Sequence, residues 1–310
     1  MTGVARGLDE VTRAPSVVTI GNFDGVHRGH QVLLRRTVDA ALSRGVRSVA
    51  ITFDPHPAAV LRPGNGPRTL ASLEERIDLL QAAGIDLVVV LPFTRELSQL
   101  TPEGFVERVL VERLQAVRVV VGTNFRFGHR AAGDVVALLE AGESHGYDVE
   151  AVAVRDLDDA PISSSAIRAA LEDGQVAWAT RALGRPYRLD GEVVRGDGRG
   201  RSIGVPTANL AVPADRVVPA NGVYVGHAEV GDRRWRCVTN VGVRPTFDAG
   251  ELVTVETHLL DVDDPDLYGE RLTVTFEHRL RGERRFDSVD ELVTQIRRDV
   301  AAARELRDAR

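Results

Sequence analysis

Between Val17 and Gln31 a strand, a glycine-punctuated turn and a helix follow one another without a break, and no other stretch constrains the fold as tightly. Val17, Val18, Thr19 and Ile20 form a β-branched apolar run that reads as a buried strand. Gly21 ends it, and Asn22, Phe23, Asp24, Gly25 and Gly29 fall in a short polar turn. From about His30 the spacing of Val32, Leu33, Leu34 and Val38 predicts a helix that stops at Gly45. Such a turn directs backbone N–H groups and the positive end of a helix dipole at an anion. His27 and His30 lie where that anion would sit, so the stretch points to a site for nucleotide phosphates.

A chain of 310 residues is long for one core, and two domains are expected. All 39 basic residues are arginine. Without lysine, a Walker A loop, a protein-kinase strand lysine and any Schiff-base chemistry are excluded, so phosphates must be held by arginine, histidine, hydroxyls, backbone and metal. Cys237 is the only cysteine, which rules out an intrachain disulfide and a cysteine-built zinc site. No apolar run reaches the roughly 18 residues of a membrane span, and the N-terminus does not read as a signal peptide. The expected location is therefore the cytoplasm. A net charge of −6 argues against nucleic acid as the main partner, while a homo-oligomer is left open.

After the opening turn, strand-like runs at Ser48–Phe53, Asp86–Pro92, Val117–Gly122 and Asp148–Val154 alternate with helical patterns. Ser72 and Glu75 form a capping box, and Thr101-Pro102 opens another helix. This alternation predicts a Rossmann-like α/β fold: a parallel sheet covered by helices on both faces, with ligands at the carboxyl ends of its strands. Three stretches should meet at that edge. They are the turn Phe53-Asp54-Pro55-His56-Pro57, the segment Val121–Asp134 with Asn124, Phe125 and Phe127, and Ile162–Arg168 with Ser164, Ser165 and Arg168. Taken singly these features are weak, since a His-x-x-His pair is often superficial and serines before a helix usually only cap it. Convergence on one sheet edge gives them weight.

The segments GNFDGVHRGHQ, FDPHP, VGTNFRFGHRAAGD and ISSSAIR resemble the adenylyltransferase module of bacterial bifunctional riboflavin kinase/FAD synthetases. That resemblance implies transfer of an adenylyl group from ATP to FMN. It implies that Gly21, Phe23, His27 and His30 line the ATP phosphates and stabilise the transition state, with Asn22 and Asp24 also in the cofactor-binding set. Asn124 and its neighbours would face flavin or adenine, Ser164, Ser165 and Arg168 would bind the outgoing phosphates, and Phe53 and His56 join the cofactor-binding set. Ser165 departs from the family's usual threonine but keeps the hydroxyl.

A break at Gly184-Arg185-Pro186 sets the expected boundary, with domains 1–183 and 184–310. Beyond it, short alternating runs at Arg188–Arg195, Gly222–Val230, Trp235–Val241, Leu252–Leu260 and Leu272–Arg279 predict a small antiparallel β-barrel. A C-terminal helix with a Ser288/Glu291 capping box and an apolar stripe of Leu292, Ile296 and Val300 closes the chain. The glycine- and arginine-rich segment around Gly198 and Gly204 suits a flap over phosphates. Thr207 and Asn209, two apart on extended backbone, offer hard oxygen ligands to Mg²⁺. Glu256 lies on the polar face of its strand with Thr254 and His258, and can act as a base only if that face lines a site.

GRGRSIGVPTANL, PANGVYVG, NVGVRPTF, VETHLLD and DLYG resemble the riboflavin kinase module of the same family. The resemblance implies that Thr207 and Asn209 hold Mg²⁺ and the ATP phosphates, and that Glu256 deprotonates the ribityl hydroxyl of riboflavin. The expected activities are thus ATP-dependent phosphorylation of riboflavin to FMN and adenylylation of FMN to FAD, with ATP, riboflavin and FMN as small-molecule partners. A nucleotidyltransferase with another phosphate-bearing acceptor and a catalytically silent flavin-binding regulator are the alternatives.

Overall fold

The computed structural model describes residues 2–153, 157, 161–196, 200, 203–245, 251–262 and 266–306. Its contacts divide the chain into two compact units, Met1–Ser164 and Ser165–Arg310.

The first unit carries strands β1 (Gly3–Arg6), β2 (Ser16–Ile20), β3 (Arg47–Asp54), β4 (Leu87–Pro92), β5 (Ala116–Gly122) and β6 (Asp148–Val152). All pair in parallel, in the order β1-β4-β3-β2-β5-β6. Helices α1 (Arg28–Arg44), α2 (Pro57–Leu61), α3 (Leu73–Ala82), α4 (Arg95–Ser98), α5 (Pro102–Phe105) and α6 (Val135–His145) connect them. Every residue of β2 is buried, as a central strand covered on both faces requires. β3 and β4 lie on one side of β2, β5 and β6 on the other. The order therefore reverses beside β2, and a ligand crevice opens at the carboxyl ends there. The four predicted strands after β2 are present. β1 was not expected; a four-residue edge strand carries too little periodicity to stand out. The helix opened by Thr101-Pro102 continues from α5 as a π-helix over Val106–Arg113, a wider winding that buries Val106, Val109 and Leu110.

The second unit begins with α7 (Ser164–Glu172, its first residue the last of the first unit) and α8 (Val176–Leu183). These helices are tied to the remainder of that unit: the Ala220 N–H donates to the Leu171 carbonyl at 2.9 Å, and Arg279 Nη1 to the Asp173 carbonyl at 3.3 Å. Strands β7 (Tyr187–Val194), β8 (Ala208–Ala211), β9 (Gly222–Val230), β10 (Arg233–Pro245), β11 (Glu251–Leu259) and β12 (Arg271–Phe276) form a closed antiparallel barrel, since β9 pairs with both β12 and β10. Tyr187, Leu189, Tyr224, Val274 and Phe276 are among its buried side chains. A Cβ on Gly226 would run into the Thr275 carbonyl, so only glycine lets β9 cross there.

The run Leu272–Arg279, expected as one strand, divides at Glu277 into β12 and β13 (His278–Arg281). The Glu277 carboxylate is buried, 2.7 Å from His227 Nδ1 and 3.3 Å from Arg236 Nη1, and accepts from the Thr275 hydroxyl at 3.1 Å. Helix α9 (Val289–Glu305) closes the chain, and its Ser288 cap accepts from the Glu291 N–H as the capping box predicts. Val300 and Ala303 of α9 cover Val223, Val225 and Val238 on the outside of the barrel.

Candidate active sites

Where β2 ends the chain turns sharply, and Phe23 and Val26 take positive φ angles of 49° and 39°. Non-glycine residues stay there only when their surroundings hold them. The Asn22 carbonyl accepts from the Thr52 hydroxyl at 3.0 Å and from Arg76 Nη1 at 2.9 Å. Asp24, 2% exposed, accepts through Oδ1 from the Leu70 and Ala71 N–H groups at 2.9 and 3.2 Å. The Ser164 hydroxyl donates to the Asp24 carbonyl at 3.0 Å. Phe23 is fully buried, and a Cβ on Gly21 would meet its ring at 3.3 Å. Phe23 and Asp24 thus turn inward and shape the loop, while Gly21 and Asn22 line a cavity.

His27 caps α1, its Nδ1 accepting from the His30 N–H at 3.4 Å. The two imidazoles stack with centroids 3.6 Å apart, and the Phe23 ring meets His30 edge-on at 5.2 Å. Burial first, and His27 second, holds His30 well below the ordinary imidazole range, so its ring is neutral at pH 7. His30 Nδ1 is buried and has no hydrogen-bond partner among the described residues. Together with the N-terminal N–H groups of a 17-residue helix, the pair suits an incoming polyanion. His56 ties the next turn to this loop: its Nδ1 accepts from the Ala58 N–H at 3.1 Å, and its Nε2 lies 3.3 Å from the Asn22 carboxamide.

The cavity beside Gly21 and Asn22 holds about 660 Å³. Phe53, Phe93, Phe125 and Phe127 line it, with Asn124, Arg126 and Arg130 supplying polar groups. Phe53 meets Phe93 at 5.7 Å with rings nearly perpendicular, and Phe125 stacks on Phe127 at 5.6 Å. Such a slot accepts a planar ring system, with polar groups to orient it. Alternation in the sequence marked Phe125 and Phe127, and Arg126 and Arg130 belong to the same basic, aromatic segment; Phe93 had no signal of its own and joins by topology.

In the second unit the strand register builds the site. Glu256 on β11 stands opposite Asn209 on β8 and Asn240 on β10, Asn240 opposite Val223 on β9, and Val223 opposite Arg281 on β13. These five residues form one row on one face, and all line a cavity of about 520 Å³ together with Thr207 and with Leu292, Ile296 and Asp299 of α9. The polar face of β11, with Thr254, Glu256 and His258, therefore lines a cavity. Thr207 also lines a second cavity of about 320 Å³, where Arg195 lies 5.6 Å over the Tyr268 ring. A Cβ on Gly196 would run into the Asn209 carboxamide, so glycine there leaves room for that oxygen donor.

Ser165 and Arg168 lie on α7 in the second unit. Gly204 sits in an exposed turn with φ 76°, and Gly198 falls outside the described residues. Asn240, Arg281 and Asp299 were not singled out from the sequence, although Asn240 is the one polar side chain at its parity between Val238 and Gly242.

The FAD synthetase family model matches residues 9–166, and the riboflavin kinase model residues 183–307. A bifunctional riboflavin kinase/FMN adenylyltransferase from Pseudomonas fluorescens is 42% identical over 94% of this chain and 92% of its own length. The protein of the same description from Escherichia coli K12 is 40% identical over 97% of this chain and 96% of its own, and that from Bacillus subtilis 34% over 93% and 91%. A solved structure from Streptococcus pneumoniae, described as a macrolide-efflux protein, superposes with a TM-score of 0.89 at 31% identity, covering 99% of this chain and 100% of that one. Efflux is said of that protein alone; no helix among the described residues here is long and apolar enough to cross a membrane. Both family models and relatives matched over nearly their whole length place this chain in the bifunctional riboflavin kinase/FMN adenylyltransferase family.

Proposed function

We propose that the second unit phosphorylates riboflavin with ATP to give FMN, and that the module built on the parallel sheet adenylylates FMN to give FAD and pyrophosphate. The observation that carries this reading is the row Asn209–Glu256–Asn240 lining one cavity, while the His27–His30 stack borders a loop that lines another.

In the adenylylation site the isoalloxazine enters the aromatic slot, where Asn124 orients it. The ATP phosphates meet the N-terminus of α1. An FMN phosphate oxygen attacks the α-phosphorus, the bond to the bridging oxygen breaks, and pyrophosphate leaves with the electron pair. His27 and His30 stabilise the charge that develops, through N–H donors that are already oriented. Ser164, whose hydroxyl donates to the Asp24 carbonyl, binds the departing phosphates. Phe53 and His56 support the flavin end of the pocket.

In the kinase site Glu256 accepts the proton of the ribityl 5′-hydroxyl as its oxygen attacks the γ-phosphorus, and ADP leaves. Thr207 stands between the two cavities of the barrel, as the meeting point of acceptor and donor should. Thr207 and Asn209 are the residues that would hold Mg²⁺. They fit it as neutral oxygen donors, and among the described residues no group of three or more acidic, histidine or cysteine side chains could hold a metal without the phosphates. The ion would neutralise phosphate charge. Gly204 belongs to the flap over that site. The chain works in the cytoplasm, where its single thiol, Cys237, is buried.

Chromatography of flavins after incubation with riboflavin, ATP and Mg²⁺ tests this. FMN and then FAD should appear. His30→Ala should abolish FAD while leaving FMN formation intact. Glu256→Ala should lower FMN formation by about 10²–10⁴-fold while FAD still forms from supplied FMN. Loss of both activities in either folded variant would overturn the two-site division.

A further inference from the structure

The far end of the kinase cavity is closed by a guanidinium that cannot swing away. Asp299 of α9 is 6% exposed, and Arg281 holds it through Nε at 3.0 Å and Nη2 at 2.8 Å from Oδ2. Gln295 donates to the other carboxylate oxygen at 2.8 Å, and Arg281 Nη1 donates to the Gly282 carbonyl at 3.2 Å. The guanidinium also lies 5.7 Å over the Phe286 ring. Of its five N–H groups these bonds use three, leaving one on each Nη nitrogen. Asp299, in contrast, has both oxygens occupied. The neighbouring Glu283 and Arg284 are exposed.

We propose that Arg281, positioned by Asp299 and Gln295, reads the acceptor edge of the flavin pyrimidine ring and sets the selectivity of the kinase site. This rests on the reading above that riboflavin occupies this cavity with its ribityl end at Glu256. From Glu256 to Arg281 the strand row runs across three inter-strand spacings, about 14 Å of backbone. With a glutamate reaching from one end and an arginine from the other, that span fits a ribityl chain and one ring edge. N1 and the C2 carbonyl of an isoalloxazine are adjacent acceptors, and two parallel N–H groups match them as they would a carboxylate. The charge-neutralising contact with Asp299 keeps the fork planar and fixed, so little order need be gained on binding.

Steady-state kinetics with riboflavin and with 1-deazariboflavin, whose N1 acceptor is replaced by C–H, test the assignment. Wild type should prefer riboflavin by about tenfold in kcat/KM, and Arg281→Met should erase that ratio while raising the riboflavin KM about tenfold or more. Arg281→Lys, which keeps a cation beside Asp299 but not the fork, should restore thermal stability without restoring the ratio. FMN formation at saturating riboflavin and an unchanged far-UV circular dichroism spectrum in the same variants report that the second unit is folded. An unchanged ratio in Arg281→Met, or a ratio fully restored by Arg281→Lys, overturns the proposal. Glu256→Ala separates the two layers: if it still makes FMN, the placing of riboflavin in this cavity fails, whereas an inactive Glu256→Ala with an unchanged Arg281→Met ratio defeats only the role of Arg281.

Discussion

Replacing Asp24 tests whether the phosphate loop is built by buried hydrogen bonds or whether this carboxylate serves the ligand directly. Asp24 Oδ1 accepts from two backbone N–H groups, Leu70 at 2.9 Å and Ala71 at 3.2 Å, at a site 2% exposed. Asp24→Ala leaves both donors buried without this acceptor, at about 1–3 kcal/mol each, or roughly 2–6 kcal/mol together. Asp24→Asn keeps an acceptor oxygen and the shape. It loses the negative charge that offsets the desolvation of Arg76, a guanidinium that burial pushes below its usual range. We expect a cost of about 1–2 kcal/mol for that change. In a unit of 164 residues each kcal/mol should move the melting temperature by about 2–4 °C, so Asp24→Ala should melt roughly 5–20 °C earlier and Asp24→Asn only a few degrees. Differential scanning calorimetry resolves the first unit, and riboflavin phosphorylation measured in parallel should be unchanged. Unaltered melting of Asp24→Ala with a large rise in the KM for ATP at the adenylylation site would refute the structural assignment.

The same geometry leads to two further outcomes. Because the folded state holds His30 well below 6.5 while the unfolded chain protonates it there, the folded state loses stability as pH falls below about 6.5, by up to about 1.4 kcal/mol per pH unit until the folded ring itself protonates. Urea unfolding at pH 7.5 and 5.5 should therefore show a smaller pH effect in His30→Gln than in wild type; equal effects would contradict a neutral, buried His30. Asn209→Ala should raise the Mg²⁺ concentration needed for half-maximal FMN formation by about tenfold or more without altering that for FAD formation, and a parallel rise in both would remove Asn209 from the metal.

Periodicity and punctuation were enough to read the larger elements. The apolar runs that became β2 to β6, the Ser72 and Ser288 caps and the break at Gly184 are local events, written in adjacent residues. Short elements escaped: β1 and β8 span four residues each, less than two periods of a strand. The division of β12 from β13 escaped for another reason. It turns on Glu277 meeting His227 and Arg236, residues 50 and 41 positions away.

For the sites the same distinction holds. By itself the sequence determined the type of fold in each half and the exclusion of lysine chemistry, and it singled out candidate residues: His27 and His30 one helical turn apart, Thr207 and Asn209 on one side of an extended backbone, Glu256 on a polar face. These depend on spacing along the chain, which backbone geometry converts directly into a shared face. Only the tertiary structure decided that Phe23 and Asp24 build the loop from within, that Arg76 clamps it from 54 residues away, and that Arg281 and Asp299 line the same cavity as Glu256. Burial and hydrogen-bond satisfaction are properties of what surrounds a side chain in space, and that surrounding is assembled by strand order and register rather than by neighbours in sequence.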